Sequence, residues 1–393
     1  MKPIRVLLTL RTLNRRSGSE AYVMDLARTL RRRGHEPIVY ASEGGDLAHE
    51  LKMSTVAVIE RLDRMAVAPD VIHGNHHPET MTALLHFPDT PAIHVTHAWN
   101  SFEATPVHHP RVLTYVAVDD TCRDRLVQEE GIPPERVRVL QNGVDLDRFR
   151  PRAPLPARPK RALVFSNYAT EGSHLEICAE ACRRAGIEFA AIGSGVGREA
   201  LLPEQVIGDY DLVFAKARCA LEALAVGSAV VLCDATGSGP LVTAANVAPL
   251  RRENFGLRAM NRRLDADLLV GEIDRYDPTD AAAASRFVRE TADLEKSTDD
   301  LIALYLEVID EHRVRPRDLV AESQAAAAYL YRFAPSWRDA DMLKLKLENA
   351  EAERDRMRSE IAYFQESATW KLRERIIRLK PLVGAYNMLL GKK

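Results

Sequence analysis

Apolar positions in the first forty residues form a run, a gap and a periodic stretch. Ile4-Arg5-Val6-Leu7-Leu8 reads as a buried parallel strand, a polar loop follows at Arg15 to Ser19, and Glu20 to Arg33 carries apolar residues at helical spacing. Gly34-His35 ends that helix, and Glu36-Pro37-Ile38-Val39-Tyr40 supplies a second strand, completing a βαβ crossover. Short apolar runs recur at Val56 to Ile59, Val71-Ile72, Ala92 to Val95, Leu113 to Val118 and Val137 to Leu140. The rhythm predicts a parallel α/β domain over residues 1–150.

Prolines and basic residues then crowd residues 151–160, which blocks regular structure, keeps the segment solvated and reads as an interdomain linker. Strands are expected at Ala162 to Phe165, Glu188 to Ile192, Leu212-Val213-Phe214 and Ala229 to Cys233, with helices at His174 to Ala185 and Arg218 to Val226, giving a second α/β domain over 161–290. Pro278 to Arg313 is helical, and residues 291–316 are expected to pack back as C-terminal helices. Over 317–366 the chain predicts a helical extension in which Ala340, Leu343, Leu347, Ala350, Arg354, Met357, Ile361 and Phe364 alternate at spacings of three and four, a coiled-coil series suited to a homo-oligomer. From 367 to 393, Leu372, Ile376, Leu379 and Val383 share one helical face while Lys371, Arg373, Arg375, Arg378 and Lys380 lie elsewhere, although Pro381 interrupts the pattern. Residues 371–393 hold seven Lys/Arg against one Glu, so this tail suits peripheral contact with an anionic membrane, with packing on a protein partner as the alternative.

Composition narrows the function classes. With 393 residues, 46% hydrophobic and 28% charged, the chain can bury two cores. A formal charge of -2 supplies no global field for nucleic acid. Five cysteines without CxxC spacing, and no apolar core at Met1-Lys2-Pro3-Ile4-Arg5 like that of a secretory signal, fit a reducing cytoplasm. The longest apolar stretch, Ala223 to Cys233, is broken by Gly227-Ser228 and falls short of the roughly 20 residues that span a bilayer.

Candidate chemistry gathers at strand ends. Gly18 and Ser19 lie where free backbone N–H groups and the helix dipole favour an anion, and the same residues also suit a plain polar turn with Ser19 as N-cap. Lys216 and Arg218 follow the Leu212-Val213-Phe214 strand at the mouth of the helix carrying Glu222, where ligands of open parallel sheets bind. Two cations there suit a diphosphate and Glu222 a ribose diol; the competing assignment for Glu222 is an ordinary helical ion pair. Gly193 belongs to another strand-end glycine loop, Ile192-Gly193-Ser194-Gly195-Val196-Gly197. His97 ends a strand, the position of a first-domain catalytic group. His76-His77 and His108-His109 are adjacent pairs that suit solvated loops better than a metal, and neither a nucleophile elbow nor a GKS/T phosphate loop occurs.

Over about residues 4–312 the chain resembles the GT-B glycosyltransferases, specifically their large retaining group 4. The likeness rests on Ser17-Gly18-Ser19-Glu20, Pro69-Asp70-Val71-Ile72-His73 and, most specifically, Arg136-Val137-Arg138-Val139-Leu140-Gln141-Asn142-Gly143-Val144-Asp145 with Phe149. Leu221 to Gly227 is similar to the second half of the family's Glu-x7-Glu segment, whose final glutamate holds the nucleotide ribose. The resemblance implies two Rossmann-like domains facing a cleft. It also implies a nucleoside-diphosphate sugar as donor substrate without a cofactor or required metal, a strand-end histidine near the sugar that His97 matches, and a glycan or lipid-linked glycan acceptor in surface polysaccharide or glycolipid synthesis. Two departures stand out. Phe214 occupies the place of the first glutamate, and Ser166-Asn167-Tyr168-Ala169 replaces the Gly-Arg-x-x-x-Lys loop, so Lys216 and Arg218 are expected to neutralise the diphosphate. A hexosyl transfer with retention is the expectation, with a catalytically degenerate binding or scaffold protein and a sugar-nucleotide epimerase as alternatives.

Overall fold

The computed structural model describes residues 2–14, 16–200, 202–366, 368–378 and 386. They form two compact units, 1–325 and 326–393.

Unit one opens with β1 (Arg5–Thr12), α1 (Gly18–Arg32), β2 (Glu36–Glu43), α2 (Asp46–Met53), β3 (Ala57–Ile59), β4 (Val71–Gly74) and α3 (His77–His86). It continues through β5 (Ala92–Thr96), β6 (Val112–Ala117), the short α4 (Asp120–Asp124) and β7 (Val137–Val139). These strands make one sheet in the order β3-β2-β1-β4-β5-β6-β7, and every pairing is parallel. Helices cover both faces, which is why β1 buries Val6, Leu7, Leu8 and Leu10 in succession instead of alternating. α1 starts at Gly18, two residues before the expected start at Glu20, with Ser17 rather than Ser19 in the N-cap place.

Residues 151–160 carry no helix or strand. The segment is not wholly solvated, because the Arg152 N–H donates to the Val226 carbonyl (2.8 Å) and its guanidinium to Asp211 (2.8 Å), pinning the chain to the second domain. There β8 (Arg161–Phe165), α5 (His174–Ala185), β9 (Glu188–Ile192), β10 (Leu212–Ala215), α6 (Ala217–Val226), β11 (Ala229–Asp234) and β12 (Gly237–Leu241) build a sheet in the order β12-β11-β10-β8-β9. β12, unmarked in a sequence as poor in apolar residues as Gly237-Ser238-Gly239-Pro240-Leu241, pairs antiparallel with β11 at the edge. Then come α7 (Val247–Arg252), α8 (Ala266–Ile273), α9 (Pro278–Thr291) and α10 (Leu294–Val314).

The helical stretch from Pro278 breaks at Ala292-Asp293, where the Asp293 carboxylate caps α10 by accepting from the Glu295 N–H (3.0 Å). At the break the chain passes Val144, which donates to the Ala292 carbonyl (2.8 Å) and accepts from the Leu294 N–H (3.1 Å). A Cβ on Gly143 would stand 2.6 Å from the Leu294 Cα, so only glycine permits this approach. α10 then packs on the first sheet, against β4, β5, β6 and α1. Its Tyr305 hydroxyl is 2.6 Å from His73 Nδ1, and its Glu295 takes Arg32 (2.6 Å) and Arg33 (2.7 Å).

The second unit is helical. α11 (Leu319–Glu366) runs into it with Pro335 inside, and α12 (Ala368–Arg378) follows. Of the tail's apolar face only Leu372 has a described side chain, and it is exposed; residues 379–385 and 387–393, with Leu379, Lys380, Pro381 and Val383, lie outside the described residues. Among the described residues, no helix is long and apolar enough to cross a membrane.

Candidate functional site

The carboxyl ends of the two sheets meet along two seams. In the first, the loop after β1 touches the loop after β8, where Asn167 Nδ2 donates to the Arg16 carbonyl (2.7 Å). Beside it Arg218, in the first turn of α6, donates to Asp25 of α1. In the second, segments after β5, β6 and β7 meet α7 and its sequel. Gln141 Nε2 donates to the Arg251 carbonyl (2.8 Å), Arg252 pairs with Asp120 (2.8 Å) and Arg258 with Asp124 (2.7 Å), and the Arg258 guanidinium lies 6.0 Å from the Trp99 ring centre. Residues that follow strand ends of both domains build these seams, the placement expected for ligand binding in open parallel sheets.

On the second-domain side, β10 ends at Ala215 and α6 begins at Ala217, so Lys216 alone connects them and stands in the N-cap place without a side-chain cap. The connection is too short for a loop carboxylate eight residues before Glu222; Phe214 at that position is fully buried in the sheet. Ala217 adopts φ +47°, a left-handed conformation for a residue with a Cβ, and its N–H donates to the Phe255 carbonyl (3.0 Å). Lys216 pairs with Asp234, the buried carboxylate ending β11, and its Nζ is 5.1 Å from the centre of the Tyr168 ring. Burial works against the Asp234 charge, but donation from Lys216 and Thr236 reverses the effect and holds the carboxyl below its usual range.

Arg218 is shared between walls. It donates to Asp25 and, through Nε, to Glu222 (2.7 Å), while Arg148 reaches the same Asp25 (2.9 Å) and Glu204 (3.2 Å). Two guanidinium groups thus face three carboxylates. Burial opposes the Arg218 charge, yet Asp25 and Glu222 outweigh it and raise its pKa. Burial pushes the Glu222 carboxyl up against the attraction of Arg218. Glu222 therefore sits in a helical ion pair, and both cations picked out from the sequence carry carboxylate partners.

On the first-domain side, His97 is half-buried, with its ring edge-on to Tyr22 at 4.6 Å. Its Nε2 lies 2.8 Å from Asn75 Oδ1, and Asn75 Nδ2 donates to the Thr9 carbonyl (3.0 Å), so the amide oxygen accepts and His97 carries its proton on Nε2. Burial first, then neighbouring His73 and His76, lower its pKa to about 3 and keep it neutral. His76, His77 and His109 are buried rather than solvated, because the turn into α3 and the approach to β6 are packed over; only His108 of the two pairs remains exposed, 3.4 Å from Glu130.

The glycine positions divide. Nothing within 4 Å would meet a Cβ on Gly18, leaving the first turn of α1 open at that point. Ser19 instead donates to the Glu20 carboxylate (3.0 Å), as does Ser17. Gly193, at φ +142°, would put a Cβ 2.1 Å from the Ser166 carbonyl oxygen, so it lets the 193–197 turn support the β8 loop; Ser194 donates to Asn167 Oδ1 (3.1 Å) from there.

Asp25, Arg148, Glu204, Asn75 and Asp234 escaped the sequence reading. Asp25 and Asp234 had a signal, each being a lone acid in an apolar run, Val23-Met24-Asp25-Leu26-Ala27 and Val230-Val231-Leu232-Cys233-Asp234.

Residues 16–148 match the family described as Glycosyltransferase Family 4. A glycosyltransferase from Rickettsia africae is similar in structure, with TM-score 0.57 at 14% identity over 79% of this chain and 99% of that one. Anabaena HepE in complex with UDP gives TM-score 0.58 at 14% identity over 77% of this chain and 100% of its own. The same protein with UDP-glucose gives 0.55 at 15% identity over 77% and 100%. A search of curated proteins finds no match. The likeness establishes the GT-B fold.

Proposed function

We propose, from the GT-B fold and the family 4 match over residues 16–148, that this chain transfers a sugar from a nucleoside diphosphate to a hydroxyl acceptor with retention of anomeric configuration. The observation that carries this reading is the confrontation of strand carboxyl ends, joined through Asn167 to Arg16 and Arg218 to Asp25. As the glycosidic bond breaks, the leaving diphosphate gains negative charge, and cations held beside it stabilise the transition state more than the ground state. Lys216 and Arg218 supply them by exchanging carboxylates for phosphate oxygens, Lys216 leaving Asp234 and Arg218 leaving Asp25. His97, neutral and fixed by Asn75, orients the sugar and is too weak a base to take a proton near pH 7. The acceptor is a glycan or lipid-linked glycan of a surface polysaccharide or glycolipid. The enzyme works in the cytoplasm, with its basic tail on the inner face of the membrane.

The test is a thermal-shift screen of UDP, GDP, dTDP and ADP sugars, followed by turnover and product analysis by NMR. One sugar nucleotide raises the melting temperature and yields an axial or equatorial product matching its donor. Lys216→Ala lowers kcat/KM with that donor by roughly 10²-fold. Unchanged turnover in Lys216→Ala defeats the assignment of Lys216. The buried Phe214 in place of a carboxylate favours a second reading, a nucleotide-binding scaffold, and a melting shift without any product with candidate acceptors would select it.

A further inference from the structure

α11 leaves an apolar seam open. Beyond Pro335, Leu343, Leu347, Met357 and Ile361 are each more than half exposed, and with Ala340, Ala350 and Arg354 they fill the a and d places of a heptad starting at Ala340. The flanking g places are Asp339, Lys346 and Glu353; the e places are Lys344, Glu351 and Arg358.

These charges choose a partner and an alignment. In a parallel, in-register pair of identical helices, each g residue faces the e residue five places on in the second copy. Asp339 then meets Lys344, Lys346 meets Glu351 and Glu353 meets Arg358, all opposite in sign and each occurring twice by symmetry. Sliding one helix by a heptad sets Asp339 against Glu351 and Lys346 against Arg358. Turning it antiparallel keeps Lys344 with Glu351 and Lys346 with Glu353 in one register but sets Asp339 against Glu360, and in the next register it sets Glu351 against its own copy and Lys344 against Arg358. Arg354 at an a place weakens the seam and selects register, the known use of a single polar residue there.

We propose that residues 339–361 bind a second copy of this chain as a parallel, in-register, two-stranded coiled coil. The two α12 helices then leave the coil at the same end, presenting their Lys371, Arg373 and Arg375 side by side. The proposal stands apart from the transfer reaction, since a scaffold protein would pair equally well.

The experiment uses the full chain. Sedimentation equilibrium gives a dimer, and Lys346→Glu raises its dissociation constant roughly ten-fold because two attractive pairs become repulsive. The charge-swapped double variant Lys346→Glu/Glu351→Lys restores the pairs and the wild-type constant. Leu347→Cys, treated with a thiol oxidant, forms a covalent dimer that the wild type does not, since a parallel in-register seam brings residue 347 against its own copy. Circular dichroism checks that each variant keeps its helix content. A monomeric wild type overturns the proposal, as does a dimer that ignores Lys346→Glu or fails to cross-link through residue 347.

Discussion

Arg218 donates to Asp25, a residue 193 positions earlier in the chain and on the opposite wall of the site. Because the same guanidinium also holds Glu222, one side chain joins the domains and satisfies two buried carboxylates. Arg218→Ala leaves Glu222 without its cation and Asp25 with Arg148 alone, and should cost about 3 kcal/mol of stability, the scale for breaking a buried pair from one side. Chemical denaturation measures it; a loss below about 1 kcal/mol would show that the cluster is solvated.

Ala217 in the left-handed region carries strain of about 1 kcal/mol that glycine does not. Ala217→Gly should therefore raise the melting temperature, whereas Ala217→Val should lower it. A drop in the glycine variant contradicts the strained turn.

Gly143 lies where the chain returns from the second domain. Gly143→Ala forces a Cβ against Leu294 and pries apart the hydrogen bonds between Val144 and residues 292 and 294, at a cost of about 2–3 kcal/mol. An alanine variant with the wild-type urea midpoint would refute the close approach.

Acid should unfold the first domain early. Burial holds His73 at a pKa of about 3, against 6.5 for a free imidazole. Between those values the unfolded chain binds a proton that the folded chain does not, so stability falls as pH drops from 6.5 toward 3 and is unaffected by this group above 6.5. Each such histidine contributes a slope of about 1.4 kcal/mol per pH unit, and His97, also at about 3, adds in the same direction. The urea midpoint should decline from pH 7 to pH 5; a flat profile there would count against neutral, buried imidazoles.

Periodicity made both sheets legible, because parallel strands covered on two faces must be continuous apolar runs, as Val6-Leu7-Leu8 and Val230-Val231-Leu232 are. β12 was hidden because an edge strand of glycine and proline has no apolar signature, and its place comes from pairing with β11. The site was legible as far as which side chains stand at strand ends. Their partners were not, since Arg218 with Asp25 and Lys216 with Asp234 depend on contacts that spacing along the chain does not encode. The buried state of His76 and His77 was likewise set by packing over α3, which local polarity does not report.

Tyr305 reaches His73 across 232 positions, so the first sheet lacks one of its covering helices until α10 has been synthesised. During translation, His73 and its sheet must wait for a helix 232 positions later, leaving apolar surface on the first sheet until the later α/β and helical segments have left the ribosome. A fragment stopping at residue 150 lacks that wall and should aggregate, and chaperone demand in the cell should track how fast the ribosome reaches α10.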